Sequence, residues 1–216
     1  MIKMNKILLG HKFVGNFLDE PVAIGKIYKM DDRQFLPALQ FSDVYPAIDL
    51  AKWTDSGSPG DLKFNVTSDV GFKFGGGASS SIGESKVEIE FLKRRKVAGY
   101  LRDATVQSLR YENIRGELKK LWQDKGYTKF LRDYIFIFEV VTAASGTLVY
   151  SSEGGTKVVL EHTLAGKVTK LADLGSGNFQ LTANSERTLE IIRNTSHIPL
   201  FKAFRFRKNW EPEILG

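Results

Sequence analysis

Between residues 62 and 91 apolar and polar side chains alternate with a period of two, and this pattern restricts the fold more than any other in the chain. Leu62, Phe64 and Val66 share one side, with Lys63, Asn65 and Thr67 on the other; after Ser68 and Asp69 the rhythm resumes in Val70, Phe72 and Phe74. Val87, Ile89 and Phe91 then oppose Lys86, Glu88 and Glu90. Successive strand residues point to opposite faces, so the pattern predicts half-buried strands of an antiparallel sheet. Between the two runs lies "GGGASSSIGES", far looser than the two to five residues that usually close a hairpin, and the second run continues into "LKRRK".

The rest of the chain is read around that sheet. "VAIGKIYKM" (22–30) predicts a first strand broken by Asp31 and Asp32, and the irregular aromatic stretch through Phe35, Pro37, Phe41, Tyr45, Pro46 and Trp53 reads as a packed loop closed by "DSGSPGD". In "ENIRGELKKLWQDK" (112–125), Ile114, Leu118 and Leu121 fall at helical spacing and Gly126 supplies a stop. "DYIFIFEVVTA" (133–143) is the most apolar segment and reads as a central strand; "GTLVYSSEGGTKVVLEHT" reads as a hairpin about Gly154 and Gly155. "GNFQLT", "RTLEIIRN" and "IPLFKAFRFRK" are further strands, after which the chain ends at "NWEPEILG". Residues 3–18 carry Ile7, Leu8, Phe13, Val14, Phe17 and Leu18 among Lys3, Lys6 and Lys12. They predict a basic amphipathic helix, weakened by Gly10 and Gly15, that either docks on the core or rests on a membrane. The expected class is α+β: one domain over 1–216, with a large twisted antiparallel sheet, the basic N-terminal helix and a few packed helices.

Composition narrows the function. Hydrophobic residues make up 42% of the 216, with 15 Phe, enough apolar surface for a substantial core. A net charge of +6 favours an anionic partner, either nucleic acid or an acidic membrane surface. With no cysteine, disulfides, thiolate nucleophiles and Cys-ligated metals are excluded. The N-terminus lacks a signal-peptide pattern and reads as mature sequence, and no run approaches the ~20 apolar residues of a membrane helix.

Catalytic signatures do not emerge. Read from Gly77, "GASSSIGES" has one residue too many for a phosphate loop and Glu84 where the lysine belongs. His11, His162 and His197 share no ligand spacing, and no GxSxG elbow occurs. The expectation is therefore a non-enzyme without cofactor or metal. Two cation clusters stand out: Lys93, Arg94, Arg95 and Lys96, and Lys202, Arg205, Arg207 and Lys208 among Phe201, Phe204 and Phe206. Either suits phosphates with stacked bases, or anionic lipid, or a solvated sheet edge protected from aggregation; the first is also compatible with a nuclear localisation signal.

The order of these features resembles the pore-forming domain of the gasdermin family. The basic N-terminal segment, "SGSPGDLKFNVTSDVGFKF", the Gly/Ser gap, "SKVEIEFLKRRKV", the helix "ENIRGELKKLWQDKG", "DYIFIFEVVTAASGTLVYSSEGGTKVVLEH" and "IPLFKAFRFRK" carry the likeness over nearly the whole chain. The compact form is most similar to the fungal regulator-of-cell-death proteins, or to bacterial gasdermins without a C-terminal repressor domain, although the lipidated cysteine frequent in bacterial members is missing. The resemblance implies a cell-death effector that binds acidic phospholipids (cardiolipin or phosphoinositides), self-associates, and turns two regions into hairpins of a transmembrane β-barrel. A variant homologue would act as trigger. The protein would be cytoplasmic when inactive and at the plasma membrane when assembled, without nucleic acid as a partner. By the same resemblance Lys3, Lys6, Lys12, Lys93, Arg94, Arg95 and Lys96 would contact lipid. The hairpins would fall in 62–92 and 134–182, with Leu62, Phe64, Val66, Phe72, Phe74, Val87, Ile89, Phe91, Ile135, Ile137, Val158 and Leu160 on the inserting faces. The alternative function is a basic single-stranded nucleic-acid-binding module.

Overall fold

A computed structural model describes residues 8–9, 13–16, 22–31, 34–40, 49–64, 68–76, 85–110, 112, 114–126, 133–164, 168–183 and 188–215. In chain order the elements are β1 (Leu8–Leu9), β2 (Phe13–Gly15), β3 (Lys26–Asp31), β4 (Gln34–Gln40), β5 (Thr54–Ser56), β6 (Gly60–Phe64), β7 (Val70–Gly76), β8 (Ser85–Phe91), β9 (Lys96–Leu109), helix α1 (Arg115–Asp124), β10 (Tyr134–Ala143), β11 (Ser145–Ser151), β12 (Thr156–His162), β13 (Phe179–Ala183), β14 (Thr188–Arg193), β15 (His197–Phe206) and β16 (Pro212–Leu215). Short 3-10 turns add Leu50–Trp53 and Leu171–Ser176. The fold is mixed but dominated by antiparallel sheet, with two sheets of 12 and 4 strands.

The large sheet runs β1-β2-β15-β10-β9-β11-β14, with β3 also on β10, β4 on β3, β5 and β6 on β9, and β16 on β15. β10 is central, as its composition predicts, because both its faces are covered. Phe136 and Phe138 pack with Leu118, Leu121 and Trp122 of α1 and with Phe204 and Phe206, while Ile135, Ile137 and Val140 pack with Val14, Tyr28 and Phe201. Trp122 meets Phe206 edge-on at 5.5 Å, a favoured aromatic geometry. Helix α1 forms where predicted: Ile114, Leu118, Leu121 and Trp122 make one buried stripe, and Gly126 at φ 69 leaves the helix in the left-handed region.

Several expectations are corrected. The basic N-terminal helix over 3–18 is not formed where the chain is described. Leu8–Leu9 and Phe13–Gly15 are strands, and β2 pairs with β15 through Val14↔Phe201. Gly10 and Gly15 disfavour helix there, and the sheet edge supplies the backbone partners a helix would otherwise provide. The expected packed loop contains β4, which pairs with β3 through Tyr28↔Pro37; proline is tolerated because β4 adds to the outside of β3. Only one α-helix, α1, occurs among the described residues, not several packed ones. The final segment adds β16, which lies on β15.

Most consequential is the segment about Gly154 and Gly155, which is not a hairpin. β11 pairs with β9 and β14 in the large sheet, whereas β12 pairs with β8 and β13 in the small one. The chain therefore crosses between sheets at 152–155, and it crosses again at 92–95 between β8 and β9. The two crossings lie side by side: Ser151 is opposite Lys96 on one side and Thr156 opposite Phe91 on the other. One two-stranded ladder thus folds over at a corner, and the residues beyond it close an apolar cluster. Val87, Ile89, Phe91, Val158 and Leu160 from the small sheet meet Ala98, Tyr100 and Val149 from the large one.

β9 carries no continuous period-two pattern that would predict it from sequence. It is the longest strand, 14 residues, and changes partners midway: Lys96–Arg102 pair with β11 and Thr105–Ser108 with β10. The switch falls at Asp103, whose φ of 48 bends the strand. Gly99 is required where β9 meets β11, since a Cβ there would strike the Thr147 carbonyl oxygen.

Candidate functional site

The small sheet has the order β13-β12-β8-β7, so the hairpins β7–β8 and β12–β13 lie next to each other. In-register pairs place apolar side chains together on its inner side: Phe72↔Ile89, Phe74↔Val87, Val158↔Ile89 and Leu160↔Val87. Val87, Ile89, Phe91, Val158 and Leu160 are fully buried; Phe72 and Phe74 are half-buried and stack on each other at 6.2 Å. The outer side carries alternating charge. Lys73 meets Glu88 at 3.0 Å, Lys157 lies between Glu88 and Glu90 at 3.9 and 3.8 Å, and Lys86 lies 3.8 Å from Glu161. The Lys73 hydrogen bond holds the Glu88 carboxyl below its ordinary value. Exposed pairs of this kind add little net stability.

Other residues of the predicted hairpins are elsewhere. Leu62 and Phe64 lie on β6, paired with β9 and packed with Leu101 and Leu148 in the large sheet. Ile135 and Ile137 lie on the central strand β10. Val66, the Gly/Ser tract 77–84, and Lys3, Lys6 and Lys12 lie outside the described residues.

The corner carries the 93–96 cluster. Arg94 and Arg95 are exposed, Arg95 at φ 55, and Leu92 beside them is 55% exposed. Lys93 and Lys96 are held differently: Lys93 Nζ lies 2.7 Å from Asp69 Oδ1 and Lys96 Nζ 2.9 Å from Oδ2. The Leu92 N–H also donates to the Asp69 carbonyl at 2.9 Å, and the Gly155 N–H donates to the Phe91 carbonyl at 2.6 Å. Gly154 packs against the backbone of Leu92 and Lys93, where a side chain would collide. Hydrogen bonds from Lys93 and then Lys96 hold the Asp69 carboxyl below its ordinary value. In the sequence Asp69 reads only as a break between strands; the available signal was a lone turn carboxylate in a chain with a four-cation run.

The second cluster has a different character. Phe201, Phe204 and Phe206 are 1%, 0% and 0% exposed, so they form core and present no stacking platform. Lys202 pairs with the buried Glu139 at 2.7 Å, and Glu139 also accepts from the Ser108 hydroxyl. Arg205 Nε donates to Glu213 at 2.7 Å, with Arg207 3.7 Å from the same carboxylate, at the wall of an open cavity of about 470 Å³. Much of this cluster's charge is thus spent within the fold.

Away from the cations, the Tyr100 hydroxyl donates to Asp61 at 2.6 Å, which raises the phenol above its ordinary value and lowers the carboxyl. His162 and His197 each place Nδ1 against a nearby carbonyl, at 2.8 and 2.9 Å. Among the described residues no group of three or more His, Asp or Glu has a metal-holding arrangement. No described helix is long and apolar enough to cross a membrane, a statement that does not bear on strands.

No protein-family model matches the chain, and a search of curated proteins likewise finds no match.

Proposed function

We propose that the chain is a gasdermin-like, membrane-permeabilising protein that binds acidic phospholipid, associates with further copies of itself and inserts strands as a β-barrel wall. The observation that carries this reading is the small sheet. Two adjacent hairpins are apolar on one side and charged on the other, and at one corner the β8–β9 and β11–β12 ladders fold in register from the large sheet into the small one. Unfolding that corner would expose one apolar side to lipid while preserving every cross-strand pair within the sheet.

Length sets the remaining requirement. β8 and β12 have 7 residues each, whereas a barrel strand needs about 9–11 to span a bilayer. The deficit would be met by the connecting segments, 77–84 at one hairpin tip and 163–178 at the other. The corner cations would stay at the headgroups, with Leu92 as an apolar contact beside them. On this reading the protein is cytoplasmic until it assembles at the plasma membrane. A second copy is a required partner, because only repetition closes the barrel and removes its edges.

Dye-loaded liposomes containing cardiolipin or phosphoinositide test the reading directly: the expected result is release, and an intact dye load would overturn it. Reversing Arg94 and Arg95 to Glu, with Lys93 and Lys96 changed to Gln, is expected to abolish liposome sedimentation while the circular dichroism spectrum is unchanged. Retained sedimentation would reduce the cluster to a solvated edge.

A further inference from the structure

The 93–96 run is not a set of four equivalent cations. Arg94 and Arg95 project into solvent from the turn, while the two lysines flanking them converge on one carboxylate, each on its own oxygen. Asp69 is reached from a separate strand connection, between β6 and β7, and its side chain is only 17% exposed. Its main chain also accepts from the Leu92 N–H, which ties the Asp69 backbone to the turn. A surface displacement of the lysines would therefore have to break two charge-assisted hydrogen bonds that the folded protein has already made.

We propose that Asp69 is an internal counter-ion that sets the anionic charge density a surface must reach before the whole 93–96 cluster engages it. This rests on the reading of the cluster as a lipid contact. Arg94 and Arg95 alone provide a weak encounter with any anionic surface. Lys93 and Lys96 contribute only where the phosphate density is high enough to compete with a carboxylate held at hydrogen-bonding distance. A sparse monoanionic bilayer does not meet that condition, and a bilayer rich in dianionic headgroups does. Asp69 is thus a specificity-determining residue: it lowers absolute affinity and sharpens discrimination between weakly and strongly anionic membranes.

The test compares the full chain with Asp69→Asn and with Asp124→Asn, which makes the same change in net charge on the exposed end of α1. Sedimentation is measured with phosphatidylcholine vesicles carrying increasing fractions of phosphatidylglycerol or of cardiolipin. Freeing one unit of cationic charge at a bilayer surface is worth about fivefold in affinity. Asp69→Asn is therefore expected to bind phosphatidylglycerol vesicles about fivefold more tightly and at a lower acidic fraction, with a smaller gain on cardiolipin, while Asp124→Asn follows the wild type.

Equal binding of Asp69→Asn and wild type, or equal shifts in both variants, would overturn the proposal. A second measurement, made on variants whose circular dichroism matches the wild type, covers absence of lipid binding: salt elution from a sulfonate cation-exchange resin, in the wild-type and Asp69→Asn backgrounds, with and without Lys93→Gln and Lys96→Gln. The lysine substitutions are expected to lower the eluting salt more in the Asp69→Asn background, and additivity would overturn the counter-ion role. Non-additive elution with no vesicle binding by any variant would overturn the lipid reading alone and retain Asp69 as counter-ion.

Discussion

At the scale of single residues, the side chains that matter most are carboxylates given a fixed task by the fold. Asp69 bridges Lys93 and Lys96, Asp61 accepts from Tyr100 and from the Asp103 N–H, and Glu88 binds Lys73. All three have carboxyls below their ordinary values of 3.8, 3.8 and 4.5, chiefly because hydrogen bonds favour the charged form. A carboxyl depressed on folding contributes stability that is fully present above its ordinary value and is lost as pH falls through the depressed one. Thermal melts are therefore expected to hold steady down to the ordinary range and to fall below it. Asp69→Asn should make that acid fall shallower; an equally steep fall would show that its ion pairs do not contribute to acid sensitivity. None of these pairings was legible in the sequence, because Asp61, Asp69 and Glu88 lie 39, 24 or 27, and 15 positions from their side-chain partners.

At the scale of elements, local pattern succeeded where a run keeps one period or is apolar throughout, and failed where distant partners decide the structure. The period-two runs gave β7 and β8, and the helical stripe gave α1, because each buries one side against the same core throughout. β9 escaped because Gly99 and Asp103 interrupt its pattern; its 14 residues are extended because β11, β10, β6 and β5 supply backbone partners along its length. The Gly154–Gly155 turn has hairpin composition, yet β11 and β12 bind other strands, since composition marks a reversal without naming the sheet on either side. The same contrast orders local stability. β10 is paired on both sides and covered on both faces, whereas β7 and β13 are the outer strands of the small sheet. Amide hydrogen exchange is expected to be slowest in 135–141 and markedly faster in 70–76 and 179–183. Equal protection across the two sheets would contradict a small sheet that can separate.

At the scale of the whole molecule, the proposed rearrangement predicts a spatial pattern that the folded protein alone does not require. With no native cysteine, single thiols can be introduced and labelled with an environment-sensitive dye one position at a time. On cardiolipin vesicles the labels at 72, 74, 87 and 89 are expected to report an apolar surrounding, and those at 73, 86 and 88 an aqueous one. Uniform polarity along both strands would argue against insertion.

The sequence by itself determined which residues alternate, where helix α1 runs, that β10 is buried, and that cations gather at 93–96. Those are properties of neighbours in the chain, set by side-chain period and hydrophobicity. Tertiary structure alone decided that the ladder folds at 92–95 and 152–155, that Phe201, Phe204 and Phe206 are core, and that two of the four cluster cations are held by Asp69. Each depends on which distant segment completes a hydrogen-bond row or a charge pair, and that choice is made by packing across the molecule rather than by any local stretch.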